Sequence, residues 1–248
     1  MSKTILVTGG SRGIGRAACR LAARRGWAIG VNYVRDKAAA DAVVAEAKGL
    51  GAKAQAFAGD VAREDDVIAV FESATAALGP LDGVVVNAGV VAPTASLVDM
   101  SVDRMKRVFE VNVLGALLTA REAARRMTLS RGGRGGSIVL ISSAAARLGS
   151  PDLYVDYAAS KGAIDTLTLG LSKELGREGV RVNAIRPGLI ETEIHASGGE
   201  PDRAKRLGAT APMGRPGSAE EVAEAVVWLL SDASSYVSGA ILDVAGGR

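Results

Sequence analysis

The segment from Lys3 to Arg25 does most to limit the fold. An apolar, β-branched run (Lys3 to Thr8, KTILVT) breaks at Gly9-Gly-Ser-Arg-Gly13-Ile-Gly15 and resumes as an Ala/Arg-rich stretch of helical character. A strand feeding a glycine turn and then a helix N-terminus makes a cradle for phosphate. Glycines carry no Cβ to hold backbone N–H groups away from a pyrophosphate, and the helix dipole favours an anion there. The spacing is Gly-x-x-x-Gly-x-Gly rather than G-x-G-x-x-G, so its meaning comes from the strand–turn–helix context. Gly9, Ser11, Arg12, Gly13, Ile14 and Gly15 are the expected contacts.

The same alternation continues along the chain. A second strand, Ala28 to Tyr33 (AIGVNY), ends where a domain that binds NAD carries an acid for the ribose hydroxyls. Asn32 and Tyr33 stand there instead, with Arg35 just after; an acid would repel a ribose 2′-phosphate, whereas Arg35 and Arg12 can pair with one. NADP(H) is therefore the preferred cofactor and NAD(H) a possible one, Asp36 being close by. A helix (Lys37 to Leu50) and a strand (Lys53 to Phe57) lead to Gly59-Asp60-Val61. Asp60 can hydrogen-bond an adenine amino group beside Val61, or cap the turn before Glu64. Leu81 to Val86 then delivers Asn87-Ala88-Gly89, small residues that leave room for a cofactor at a strand end.

A long helical stretch, Ser101 to Met127, carries Asn112 in an apolar setting. It is either a satisfied structural amide or a link between Lys161 and a water. After the strand Ser137 to Ile141 come Ser143 and then Tyr157-Ala-Ala-Ser-Lys161. Four residues apart on a helix, Tyr157 and Lys161 share a face. A phenol loses its proton near pH ~10, and a nearby ammonium is expected to lower that value so the tyrosine can exchange protons with a bound alcohol or carbonyl. Ser143 would hydrogen-bond the same oxygen. The set suits carbonyl reduction or alcohol oxidation. A further strand, Gly179 to Arg186, runs into Pro187-Gly188. Glu191 to Pro216 is rich in Gly and Pro and reads as a mobile cover hinged at Gly198-Gly199, with His195 as a cover or substrate-contact residue. Ala219 to Leu230 is the last helix and Ala240 to Val244 the last strand.

With 248 residues and 48% hydrophobic content, the chain is expected to form one doubly wound α/β domain over 1–248. No window is long and apolar enough for a membrane span, and MSKTILVTGG reads as a strand rather than a secretory segment, which points to the cytoplasm. One cysteine (Cys19) and one histidine exclude a disulfide and make a metal site improbable, and Cys19 reads as a small buried hydrophobe. The net charge is +3, and Arg121, Arg125, Arg126, Arg131 and Arg134 cluster. They alternate with helix formers and carry no recognition motif, so a solvated helix end is expected and not nucleic-acid binding. The expected partner is a small carbonyl or alcohol.

Thr8-Gly-Gly-Ser-Arg-Gly-Ile-Gly15, Asn87-Ala-Gly89, Ser143, Tyr157-x-x-x-Lys161 and Pro187-Gly188 together resemble the short-chain dehydrogenase/reductase family, over essentially the whole chain. RLGSPDLYVDYAASKGAIDTLT and HASGGEP look like its glucose 1-dehydrogenase-like group, with the 3-oxoacyl-carrier-protein reductases as the other close group. The resemblance implies a seven-stranded Rossmann sheet in the order 3-2-1-4-5-6-7. It implies a tetrad in which Tyr157 is the general acid/base, Ser143 orients the carbonyl oxygen, Lys161 lowers the phenol pKa and binds the nicotinamide ribose, and Asn112 holds a relay water. Pro187, Gly188, Ile190 and Thr192 would hold the nicotinamide half, and a homotetramer would form through the helices at 101–127 and 157–175. The chain departs from the family pattern in having Val86 before Asn87, an interval from Ser143 to Tyr157 one residue longer than usual, and a second tyrosine, Tyr154, which has no lysine four residues on and is a substrate-pocket candidate. Sugar or polyol oxidation is the leading activity. Reduction of a 3-oxoacyl thioester, with the Arg121–Arg134 cluster as docking patch, is the alternative, and a non-catalytic NADPH sensor is the rival from another class.

Overall fold

Seven parallel strands form the centre of the molecule, β1 (Thr4–Val7), β2 (Ala28–Tyr33), β3 (Ala54–Ala58), β4 (Gly83–Val86), β5 (Gly136–Ile141), β6 (Val180–Pro187) and β9 (Ile241–Val244). They lie in the order β3-β2-β1-β4-β5-β6-β9. This computed structural model describes residues 2–248, and for His195 and Ser197 it describes the backbone alone. The expected order is met; the seventh strand is numbered β9 because a two-stranded ladder, β7 (Ile190–Glu191) with β8 (Gly217–Ser218), precedes it.

Strand alternation divides the core in two. Ile5, Val7, Val85, Val139 and Ile141 face one layer of helices, α1 (Gly13–Arg24), α2 (Lys37–Gly49) and α10 (Ala219–Leu230). Leu6, Val84, Val86, Ile138 and Leu140 face the other, which contains α3 (Glu64–Leu78), α5 (Gly115–Met127) and α7 (Val155–Leu175). Successive side chains point to opposite faces, so strands covered on both sides read as unbroken apolar runs. Alanines 17, 18, 22 and 23 make the packing face of α1 and let it lie close to the sheet. Helix α10 starts on a capping box between Ser218 and Glu221.

Expected and observed boundaries differ by a residue or two except in two places. The stretch 101–127 is not one regular helix. It runs as α4 (Val102–Phe109), a π turn at Glu110–Leu114 and α5, with Ser101 capping α4 through Arg104 N. The segment 191–216, read from its Gly and Pro content as a cover with no elements of its own, contains α8 (Ile194–Ser197) and α9 (Arg203–Gly208). The remaining helix, α6 (Ala145–Leu148), lies between β5 and α7.

Two other expectations concern single side chains. Cys19 is buried and burial pushes its thiol up to about 12, so it packs as a hydrophobe. The clustered arginines are largely answered by acids: Arg121 by Glu64, Arg125 and Arg126 by Glu122, and Arg134 by Asp82. No helix among the described residues is long and apolar enough to cross a membrane.

Candidate active site

A cleft of about 560 Å³ opens at the C-terminal ends of the parallel strands. One end is the glycine turn. Gly9 and Gly13 hold φ angles of +60° and +52°, which a side chain would strain. Helix α1 begins at Arg12 with no side-chain cap and no acid in its first turn, so its leading N–H groups are left for an anion. The Thr8 hydroxyl accepts from Asn87 N and Ala88 N at 3.0 and 3.2 Å, and Asn87 Nδ2 donates to the carbonyls of Thr8 and Gly9 at 2.8 and 3.0 Å. The ends of β1 and β4 are thus tied together under the turn.

Most of the expected cofactor residues line the cleft: Ser11, Arg12, Ile14, Tyr33, Arg35, Asp60, Val61, Asn87, Ala88 and Gly89 at one end, and Pro187, Gly188, Ile190 and Thr192 at the other. Two do not. Asn32 is buried behind the turn, where Nδ2 donates to the carbonyls of Phe57 and Gly59 and Oδ1 accepts from Gly9 N. Its amide is committed to the scaffold because β2 packs between β1 and β3, so the side chain does not line the cleft as a cofactor contact would. Gly15 is also behind the turn, and a Cβ there would stand 2.5 Å from the Gly9 carbonyl.

The charges at the ribose end fit a phosphate. Arg12 and Arg35 are exposed and form no ion pair among the described residues. Asp36, the acid that stood against this reading, accepts from Ala39 N at 2.9 Å and caps α2. Asp60 accepts from Ala62 N and pairs with Arg107 at 3.4 Å, so its carboxylate serves the turn as well as the cleft. An uncapped helix, two unpaired guanidiniums and glycines at the close approaches form a donor set that fits a phosphorylated ligand.

The other end holds the titratable groups. Ser143 lines the cleft at the end of β5, while Ser142 is turned away, donating to Asp165 Oδ1 at 2.7 Å and the Lys161 carbonyl at 3.1 Å. Tyr157 and Lys161 project from one face of α7, with Nζ 5.7 Å from the phenol ring centre. The expected depression of the phenol is not found. Burial pushes Tyr157 up to about 12, and hydrogen bonding with Ser143 only partly opposes this. Lys161 itself is driven down to about 8 by burial, against the pull of Asp165, and its Nζ donates to the Ile141 carbonyl at 2.7 Å. Desolvation outweighs the charge that sequence spacing places nearby.

Asn112 sits in the π turn with its amide taken on both sides. Oδ1 accepts from Val90 N at 2.8 Å, and Nδ2 donates to the Val90 carbonyl and Ser160 Oγ at 2.9 and 3.1 Å. The side-chain amide is thus satisfied within the scaffold, and it fixes the β4 exit against α7. Tyr154 stands at the N-cap of α7 with its ring edge-on to Tyr157, centroids 5.8 Å apart.

Two residues with a place in the site carry no sequence motif. Arg203 of α9 is buried, lines the cleft and stacks 5.0 Å from the Tyr154 ring centre. Asp156, next to Tyr157, is clamped by Arg104 through Nε at 2.9 Å and Nη2 at 3.2 Å. No residue pattern in the cover singles out the first. The side chain of His195 lies outside the described residues, and among those residues no group of three or more His, Cys, Asp or Glu could hold a metal ion.

Comparison with known proteins agrees with this geometry. A family model described as enoyl-(acyl carrier protein) reductase matches residues 9–248. The chain is 51% identical over 243 residues to the uncharacterized oxidoreductase YgfF of Escherichia coli, covering 98% of each chain. It is 39% identical to an L-rhamnose 1-dehydrogenase (NAD(P)(+)) of a Sphingomonas species, covering 99% of this chain and 95% of that one. Among solved structures, a double mutant of a Serratia marcescens short-chain dehydrogenase/reductase superposes with a TM-score of 0.90 at 32% identity, covering 99% and 97% of the two chains. With a Rossmann sheet, a cleft at the C-terminal ends of its strands and relatives of this kind, the chain belongs to the short-chain dehydrogenase/reductase family, oxidoreductases that act on CH–OH groups with NAD(P)(H).

Proposed function

We propose that this chain is an NADP(H)-preferring oxidoreductase of small sugars, polyols or related carbonyl compounds, with Tyr157 as its general acid/base. The observation that carries the reading is the convergence of Ser143, Tyr157 and Lys161 on one cleft whose far end is an uncapped helix flanked by Arg12 and Arg35. The α1 N-terminus would hold the pyrophosphate and the two arginines a 2′-phosphate. Lys161 has ammonium protons beyond the one given to Ile141 for the nicotinamide ribose, and Gly188, Ile190 and Thr192 border the carboxamide end. When bound, NADPH supplies a hydride. Ser143 holds the substrate oxygen, and Tyr157, protonated at neutral pH, gives that oxygen its proton as the carbonyl carbon is reduced. In the reverse direction the phenolate takes the hydroxyl proton. Asn112 acts through position, by fixing Val90 and Ser160 around Tyr157.

The cover at 191–216 supplies Ile194, Gly198, Glu200 and Arg203 to the cleft, which supports its role as a lid. Exposed Phe109, Leu114, Leu117 and Leu169 support assembly into a homotetramer through α4, α5 and α7. The acyl-carrier-protein alternative loses weight because the arginines that would dock an acidic carrier are engaged by Glu64, Glu122 and Asp82. The test is NADPH consumption against aldoses, diketones and β-keto thioesters, wild type beside Tyr157→Phe. Removing a general acid is expected to lower turnover by about 10²–10⁴-fold while NADPH still binds. A variant that keeps wild-type turnover refutes the assignment.

A further inference from the structure

We propose that Arg203 recognises a carboxylate on the substrate, held beside Tyr154, so that oxo or hydroxy acids are the preferred substrates. This rests on the carbonyl chemistry proposed above and names its substrate class.

A guanidinium removed from water is expected to have its donors satisfied. Arg203 is only 6% exposed, yet its Nε is buried without a hydrogen-bond partner. Its one carboxylate contact among the described residues is Nη1 to Glu200 Oε1 at 3.2 Å. Glu200 is shared, since it also pairs with Arg206. The guanidinium carbon lies 5.0 Å from the Tyr154 ring centre. What remains is the Nε/Nη2 edge, the pair of parallel donors that binds a carboxylate bidentately. Arg248 also borders the cleft, and Tyr154 feels the positive charge of both arginines against the single carboxylate of Glu200.

The Tyr157 and Tyr154 ring centres are 5.8 Å apart, and the Arg203 guanidinium carbon is 5.0 Å from the Tyr154 ring centre, so the proposed carboxylate donor borders the reacting end of the cleft. Levulinate, a γ-oxo acid with two methylenes between carbonyl and carboxylate, and pyruvate, in which the two groups are adjacent, probe the spacing.

The experiment compares levulinate, methyl levulinate and pyruvate with NADPH, in the wild type, Arg203→Gln and Arg203→Lys. One charge-assisted pair is expected to give levulinate a kcat/KM about 10- to 100-fold above that of its methyl ester. The ratio should fall to near one in Arg203→Gln, and Arg203→Lys, which keeps the charge without the fork, should be intermediate. Binding is read separately by ligand-observed NMR in the presence of NADP⁺, with the same order expected. Acid and ester reduced equally well by the wild type overturns the proposal but leaves the carbonyl chemistry standing. So does an acid preference unmoved in Arg203→Gln. An NMR preference for levulinate that disappears in Arg203→Gln, with no compound reduced, supports the carboxylate site and overturns the chemistry instead. No levulinate signal from the wild type overturns the carboxylate site.

Discussion

The Lys161 ammonium donates to the Ile141 carbonyl at 2.7 Å, a contact that ties the reactive face of α7 to the end of β5. The contact holds the lysine where burial brings it down to about 8, while Tyr157 beside it is pushed up to about 12. The signs fix a pH profile. Carbonyl reduction needs a protonated phenol and a cationic lysine, and both hold below pH 8. As pH rises the lysine loses its charge first, long before the phenol ionises. We expect kcat/KM for reduction to be level up to about pH 8 and to fall about tenfold per unit above it. The Lys161→Arg variant cannot lose its charge in this range, so its residual activity should lack that limb. A wild-type profile flat to pH 10 would mean that the lysine's charge plays no part.

The sign of the Tyr157 shift also shows where sequence reading stops. Tyr157, Lys161 and Ser143 were legible because each falls at the C-terminal end of a strand or one turn into a helix, and side-chain spacing follows from local geometry. The glycine turn was legible for the same reason. The direction in which the phenol moves was not, because burial is set by every element packed around it. Asn112 drew notice as a polar residue in an apolar stretch, but the π turn around it is a change in backbone hydrogen-bond register with no residue-type signature. The place of Asn32 at the end of β2 suggests a cofactor contact; only its register with Phe57 on β3 shows that its amide is already spoken for. Arg203 reaches Tyr154 across 49 positions from a six-residue helix too short to show periodicity.

On the proposed reading, cofactor choice depends on Arg35 and Arg12. Each is exposed and unpaired among the described residues, so a 2′-phosphate would meet two free guanidiniums. A charge-assisted hydrogen bond contributes about 1.5–3 kcal/mol, so Arg35→Ser should lower kcat/KM for NADPH by roughly 10- to 100-fold. NADH, which has no phosphate there, should change little. Steady-state kinetics with both cofactors checks this. A wild type that favours NADH, or a variant that loses both cofactors equally, sinks the assignment.

Arg104 and Asp156 form a buried, two-pronged ion pair, with side chains 13% and 3% exposed. Arg104 also donates to the Pro93 carbonyl, so one residue clamps the loop after β4 to the first turn of α7. Breaking such a pair leaves an uncompensated charge. Arg104→Met should cost about 3–5 kcal/mol in urea denaturation, and the double change Arg104→Met with Asp156→Leu should recover part of the loss. Because Asp156 adjoins Tyr157, the single variant should also lower kcat more than it alters NADPH affinity. Equal stability of the single and double variants would show that the pair is not coupled.

Gly15 is required by contact rather than by backbone angle. Its φ is not positive, but a Cβ there would stand 2.5 Å from the Gly9 carbonyl, 2.7 Å from Asn87 Nδ2 and 3.0 Å from Gly10 Cα. None of these is the free end of a flexible side chain, since Asn87 Nδ2 is itself tied to the Thr8 and Gly9 carbonyls. The helix must therefore move off the turn to admit a methyl group, and the N–H groups that face the cleft move with it. Gly15→Ala should lose about 1–3 kcal/mol of stability by overpacking and should weaken NADPH binding by more than tenfold, well beyond what the stability loss alone explains. Gly49→Ala, in the last turn of α2 with nothing within 4 Å of its Cβ position, is the control. It should be neutral or slightly stabilising, because alanine favours a helix by up to about 1 kcal/mol over glycine. Urea melts of both variants beside fluorescence titration with NADPH make the comparison. A Gly15→Ala protein that melts and binds like the Gly49→Ala control would mean that the turn can open at no cost, and that the close approach of α1 to β4 is not what shapes the phosphate site.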